Sequence, residues 1–152
     1  MDAINIREAV FDDMRMVIEL IGQSDMSPDN ELTLQQAGDL FNQISQTGCH
    51  KIYVVELGSS IIATFALVVV QQLSHNGAKS VIIEDIVVAT ELQNQGIGKQ
   101  IIKFAADVAQ TLGAYKICLS SGHARLQAHA FYKRMGYEQD GYRFALTLRK
   151  ST

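Results

Sequence analysis

Proline occurs once and cysteine twice in this chain of 152 residues. With Pro28 the sole proline, there is no proline-rich linker to separate two units. Cys49 and Cys118 form no C-x-x-C pair and no metal-ligand grouping, so neither a disulfide framework nor a zinc site is expected, and both read as reduced thiols. Basic runs are also missing. A formal net charge of -3 argues against a protein that coats phosphates, so no nucleic-acid partner is expected. No apolar stretch approaches the roughly 20 residues that span a bilayer. The opening "MDAINIREAVFDDMRM" lacks the basic-then-apolar pattern of a secretory leader, so a cytoplasmic location and no membrane partner are expected. What is abundant is apolar side chain. At 47% hydrophobic residues, a chain of this length can bury one good core, and residues 1–152 are read as a single domain.

Two periodicities alternate along it. Ile4 and Ile6 open a short strand, and Asp12 is placed to cap a helix carrying Val17, Leu20 and Ile21. Leu34, Ala37, Leu40, Phe41 and Ile44 form a second helical stripe that stops near Gly48. "KIYVVEL" and "IIATFALVVVQQL" then read as strands joined by a tight turn, and Asn76-Gly77 signals a hairpin into "SVIIEDIVVA". Ile97, Ile101, Ala105, Val108 and Leu112 share a helical face closed by Gly113. The strand "YKICLS", a helix around "RLQAHAFYKRM" and a final strand follow, with Tyr142, Phe144, Leu146 and Leu148 alternating against polar or small residues. The expected fold is thus α/β, in the order β-α-α-β-β-β-α-β-α-β. Hairpins combined with one β-α-β crossover predict a single mixed, bent sheet with helices on both faces.

The stretch "QNQGIGKQ" joins a strand to a helix N-terminus, where backbone N–H groups lack intrahelical partners and the dipole favours negative charge. Gly96 and Gly98 would let the backbone come close to an anion. A Walker loop is excluded, because Gln93 stands where its first glycine belongs and Gln100 where its hydroxyl belongs. The dinucleotide fingerprint fails too, since its third glycine would fall at Ile101. What remains is Q-x-x-G-x-G after a carboxylate-bearing strand.

The segments "IEDIVV", "QNQGIGKQ", "YKICLSSG" and "AFYKRMGY", in that order, resemble the GCN5-related N-acetyltransferase superfamily. Within it the likeness is to glucosamine-6-phosphate N-acetyltransferases and small bacterial acetyltransferases. The resemblance implies acetyl-CoA as co-substrate and no metal. It implies that backbone amides of Gln93, Asn94, Gln95, Gly96, Ile97, Gly98 and Lys99 bind the pyrophosphate. It implies too that Ile86, Val87 and Val88 pair with the pantetheine arm as a strand would, and that Tyr132 approaches the sulfur. Many members carry asparagine four residues before that tyrosine; this chain has Ala128, followed by His129.

Acyl transfer to an amine needs the amine neutral, and at a pKa near 10.4 this costs about 4.6 kcal/mol at pH 7. A base therefore helps. Glu84 and Asp85 are the candidates, expected on opposite faces by strand alternation; Glu84, sharing the face of Ile86 and Val88, is preferred unless a bulge exchanges the two. The Val88 N–H is placed to stabilise the oxyanion, and Tyr132 to donate a hydrogen bond to the leaving sulfur. Lys99, Lys103 and Arg134 are candidate phosphate partners, and His123 and His129 further titratable groups. The expected reaction is acetylation of a primary amine on a small molecule or peptide. Glucosamine 6-phosphate is a named alternative, and a non-catalytic acyl-CoA-binding module is the rival of another class. A homodimer is an open assembly.

Overall fold

A computed structural model of the chain describes residues 3–148. The elements are β1 (Ile4–Glu8), α1 (Met14–Gly22), α2 (Leu34–Gln46), β2 (His50–Leu57), β3 (Ser60–Gln71), β4 (Lys79–Val88), α3 (Ile97–Thr111), β5 (Ala114–Cys118) and α4 (Leu126–Arg134). Short 3-10 turns lie at Phe11–Asp13 and Thr90–Leu92. The expected Asn76-Gly77 reversal is present: His75, Asn76 and Gly77 all adopt left-handed φ and return the chain from β3 into β4.

One five-stranded sheet runs in the order β1-β2-β3-β4-β5. Its first three pairings are antiparallel and the last, across the α3 crossover, is parallel. Helices cover both faces. On one, Ile97, Ile101, Ile102, Ala105 and Ala109 of α3 pack onto Val55, Phe65, Val81 and Ile83, with Tyr53 and Phe65 stacked at 5.0 Å. On the other, Met14 and Val17 of α1 and Ala37 of α2 pack onto Val54.

Local chemistry explains the helix ends, with one correction. Asp12 does not cap α1. Its neighbour Asp13 is the buried one: its carboxylate accepts from the Val10 N–H at 2.7 Å and is held by both Nη atoms of Arg7, which also bonds Glu56. The Arg7 hydrogen bonds lower the Asp13 carboxyl from its ordinary value, so it stays charged despite burial. Thr33 and Gln36 start α2 with a reciprocal capping box, and left-handed Gly113 ends α3 as expected.

The predicted sixth strand does not form. The chain past α4 lies in no sheet through residue 148, and Tyr142, Phe144, Leu146 and Leu148 stay exposed. Alternation signals what a segment could pair with; it supplies no partner.

Candidate active site

The parallel pairing of β4 with β5 extends only from Lys79 opposite Ala114 to Ile82 opposite Cys118, whereas β4 continues to Val88. Among the described residues no strand pairs with residues 83–88 on that side, which leaves a gap where β4 and β5 part.

Its shape depends on a bulge. The β3–β4 register slips between Ala66 opposite Glu84 and Thr64 opposite Val87, and Asp85 adopts φ 53°, left-handed and uncommon for a side-chain-bearing residue. The parity of the strand inverts there. Val81 and Ile83 pack on the α3 face before it, Ile86 and Val88 after it, while Val87 turns to Leu20 of α1. Counting from either end, Glu84 and Asp85 both fall on the α1–α2 face. Glu84 thus does not share a face with Ile86 and Val88, and the two carboxylates are not on opposite faces; the extra residue of the bulge overrides simple alternation. Both are exposed. The Cys118 thiol at the end of β5 is pushed up chiefly by burial.

The strand end beyond the bulge is ordered by its neighbours. Ala89 N–H donates to Ile62 O of β3 at 2.8 Å, so by alternation the N–H and C=O of Val88 point away from β3. Gln93 Nε2 donates to that Val88 O at 3.2 Å, tying the glycine loop to the strand and leaving the Val88 N–H turned toward the gap.

Gly96 sits at φ 85° as the N-cap of α3, next to helical Ile97, and no side chain caps this end. Gln100 is the first residue to donate back, to Gly96 O at 3.2 Å, so the amides of Ile97, Gly98 and Lys99 have no intrahelical acceptor. Left-handed followed by right-handed backbone turns successive N–H groups to one side, the concave arrangement that receives anions. A Cβ on Gly98 would lie 3.6 Å from Phe131 Cζ, which sets this helix end directly against α4.

α4 contributes Tyr132, half-buried against the α3 core, and burial pushes its phenol up. The residue that the sequence reading passed over is Tyr137, whose ring lies 6.1 Å from Tyr132. Its hydroxyl, like that of Ser121, is buried with no hydrogen-bond partner among the described residues. Only the "FYKRMGY" spacing hinted at it. His129 Nε2 lies 2.8 Å from Gly122 O and secures the start of α4, while His123 is exposed, as are Lys99, Lys103 and Arg134.

This arrangement has counterparts. Residues 14–137 match the acetyltransferase (GNAT) family. The chain belongs to the GNAT acetyltransferases. Glucosamine 6-phosphate N-acetyltransferase of Arabidopsis thaliana is 28% identical over 139 residues, 89% of this chain and 90% of that one. Its crystal structure superposes with a TM-score of 0.83 at 24% identity, covering 97% of this chain and all of that one, 100%. Aminoalkylphosphonate N-acetyltransferase of Salmonella typhimurium is 38% identical over 66 residues, 43% of each chain. The structure of a predicted acetyltransferase from Clostridium acetobutylicum with acetyl-CoA has a TM-score of 0.74 at 17% identity, over 96% of this chain and 97% of that one, a likeness of fold.

As a GNAT protein the chain is an acetyl-CoA-dependent N-acetyltransferase. The geometry fits that co-substrate. Amides without acceptors at a helix start suit its pyrophosphate, an unpaired strand edge suits its amide-bearing arm, and the lone hydroxyls of Ser121 and Tyr137 offer buried polar contacts. Among the described residues no group of three His, Cys, Asp or Glu side chains gathers as a metal ion requires. No helix among them is long and apolar enough to cross a membrane.

Proposed function

We propose that the chain transfers the acetyl group of acetyl-CoA directly to a primary amine of a small molecule or peptide, through the gap between β4 and β5. The observation that carries this reading is the division of the gap's two mouths. The glycine loop, Tyr132 and Tyr137 stand on the α3 face, and Glu84 and Asp85 stand on the α1–α2 face. In this reading the pyrophosphate sits on the amides of residues 93–99, with Gln93 holding the loop to the strand. Ile86, Val87 and Val88 align the arm along the free edge of β4. The amine enters from the other face, where Glu84 or Asp85, directly or through water, takes its proton. The Val88 N–H stabilises the oxyanion, and Tyr132 donates to the departing sulfur. Its raised pKa keeps the hydroxyl protonated at neutral pH.

The acceptor half is poor in cations. From α1 through α2, Arg15 is the sole Lys or Arg, against Glu19, Asp25, Asp29, Glu31 and Asp39. This supports a cationic acceptor over a phosphorylated one. A second reading, an amino-sugar phosphate acceptor, draws on the named activity of the Arabidopsis relative. Thiol release measured with a panel of polyamines, aminoglycosides, peptides, glucosamine 6-phosphate and aminoalkylphosphonates tests both. Turnover confined to the phosphorylated amines would replace the first reading with the second, and none with any primary amine would reject both.

A further inference from the structure

Arg125 is a cation held in place without a carboxylate. Among the described residues the ion pairs use Arg7, Lys51 and Lys116, and none uses Arg125. Its position is nonetheless fixed. It stands at the N-cap of α4 with φ -85° and ψ 65°, its N–H donates to Gly122 O at 3.0 Å, and its own carbonyl accepts from the His129 N–H at 3.1 Å. A Cβ on Gly122 would lie 3.8 Å from both Cγ and Cδ of Arg125, so the arginine stem runs along this turn. His129 Nε2, 2.8 Å from the same Gly122 O, ties the turn to the helix.

With a helical repeat of 3.6 residues, positions 125, 128 and 132 share one stripe of α4. Helical side chains lean toward the N-terminus, which carries a tyrosine at 132 back toward position 125. On that stripe only the methyl group of Ala128 stands between the two. They interact: burial pushes the Tyr132 phenol up, and the Arg125 charge draws it part of the way back. The other groups nearby bring no competing charge. Tyr137, 6.1 Å away ring to ring, and the Cys118 thiol of β5 beyond it are both pushed up by burial and stay neutral. Lys99 and Lys103 of α3 are exposed, and Glu84 and Asp85 of β4 stand on the opposite face of the sheet. We infer that Arg125 is a positioning residue whose guanidinium strengthens the hydrogen bond from the Tyr132 hydroxyl to charge developing on the departing sulfur, on the reading that Tyr132 is that donor. When the co-substrate fills the gap, water leaves and this exposed charge is screened less.

One test needs no turnover. Ultraviolet titration of tyrosinate, taken as the difference between the parent and Tyr132→Phe, isolates the Tyr132 phenol. In Arg125→Gln its titration should move to higher pH, because the cation that favours the phenolate is gone, and Arg125→Lys should stay near the parent. Added salt, by screening the exposed guanidinium, should move the unmodified protein the same way. In turnover, Arg125→Gln should lower kcat about three- to ten-fold with coenzyme A affinity kept within about two-fold, and Arg125→Lys should recover most of the loss. Arg125→Gln added to Tyr132→Phe should cost nothing further. An unmoved titration, or a full additional loss in the double variant, would overturn the inference. So would a loss of coenzyme A affinity in place of the loss in kcat, since that makes Arg125 a phosphate contact. A moved titration beside parental kcat in Tyr132→Phe would uphold the pairing and reject instead the role given to Tyr132.

Discussion

Replacing Gly98 with valine separates the fold of the glycine loop from its binding. Gly98 has ordinary helical backbone, and a Cβ there would stand 3.6 Å from Phe131 Cζ, an ordinary contact. Valine is a slightly better helix former than glycine, by a few tenths of a kcal/mol, while its methyl groups must fit beside Phe131. Stability should therefore move by less than about 1 kcal/mol, a melting shift within roughly 2–4 °C for a domain of this size. Binding should respond far more. The branched side chain stands over amides that have no acceptor in the helix, so coenzyme A affinity should fall at least ten-fold, about 1.4 kcal/mol. Gly96→Ala supplies the opposite pattern in stability. Its φ of 85° costs an alanine about 1–2 kcal/mol, although the new Cβ would meet nothing within 4 Å. Gln95→Ala, which keeps its backbone N–H, should bind coenzyme A within about two-fold of the parent. Calorimetric titration and thermal unfolding of the three variants read both quantities. Gly98→Val that stays folded and binds coenzyme A with parental affinity would refute the pyrophosphate assignment.

Tyr132→Phe should lower kcat about ten-fold or more with coenzyme A affinity retained, because the ring still packs and only the donor to sulfur is lost; unchanged kcat would leave the tyrosine a packing residue. Since the bulge places both carboxylates on one face, Glu84→Gln and Asp85→Asn should each reduce kcat, and the variant that alters the acidic limb of the pH–rate profile identifies the base. If neither changes rate or profile, the proton leaves by another route. Asp13→Asn should cost about 1–3 kcal/mol near pH 7, a moderate figure because Arg7 remains a third exposed and screened. The folded-state pKa of Asp13 is depressed, so its contribution is complete above the unfolded value near 3.9 and fades as pH falls through the folded one. Urea unfolding should show the gap between parent and variant shrinking as pH falls from about 4 through the lower folded-state value, and a gap that does not shrink over that range would indicate lost packing instead of lost charge.

The sequence by itself determined the elements and the anion-ready loop. A helical stripe such as Ile97, Ile101 and Ala105, or the two glycines before it, acts through neighbours a few residues away, and short-range sterics and hydrogen bonding leave little choice. The T-x-x-Q box at Thr33 was equally local and could have been read. Three features were decided only in the tertiary structure. The bulge at Asp85 depends on how β4 registers against β3, and it moved both carboxylates to the α1–α2 face where alternation had separated them. The opening of the gap depends on β5 ending at Cys118 while β4 runs on to Val88, a mismatch between strands far apart in sequence. The stripe from Tyr142 to Leu148 has a strand's period but lies in no strand among the described residues, because pairing is a property of two segments and alternation a property of one.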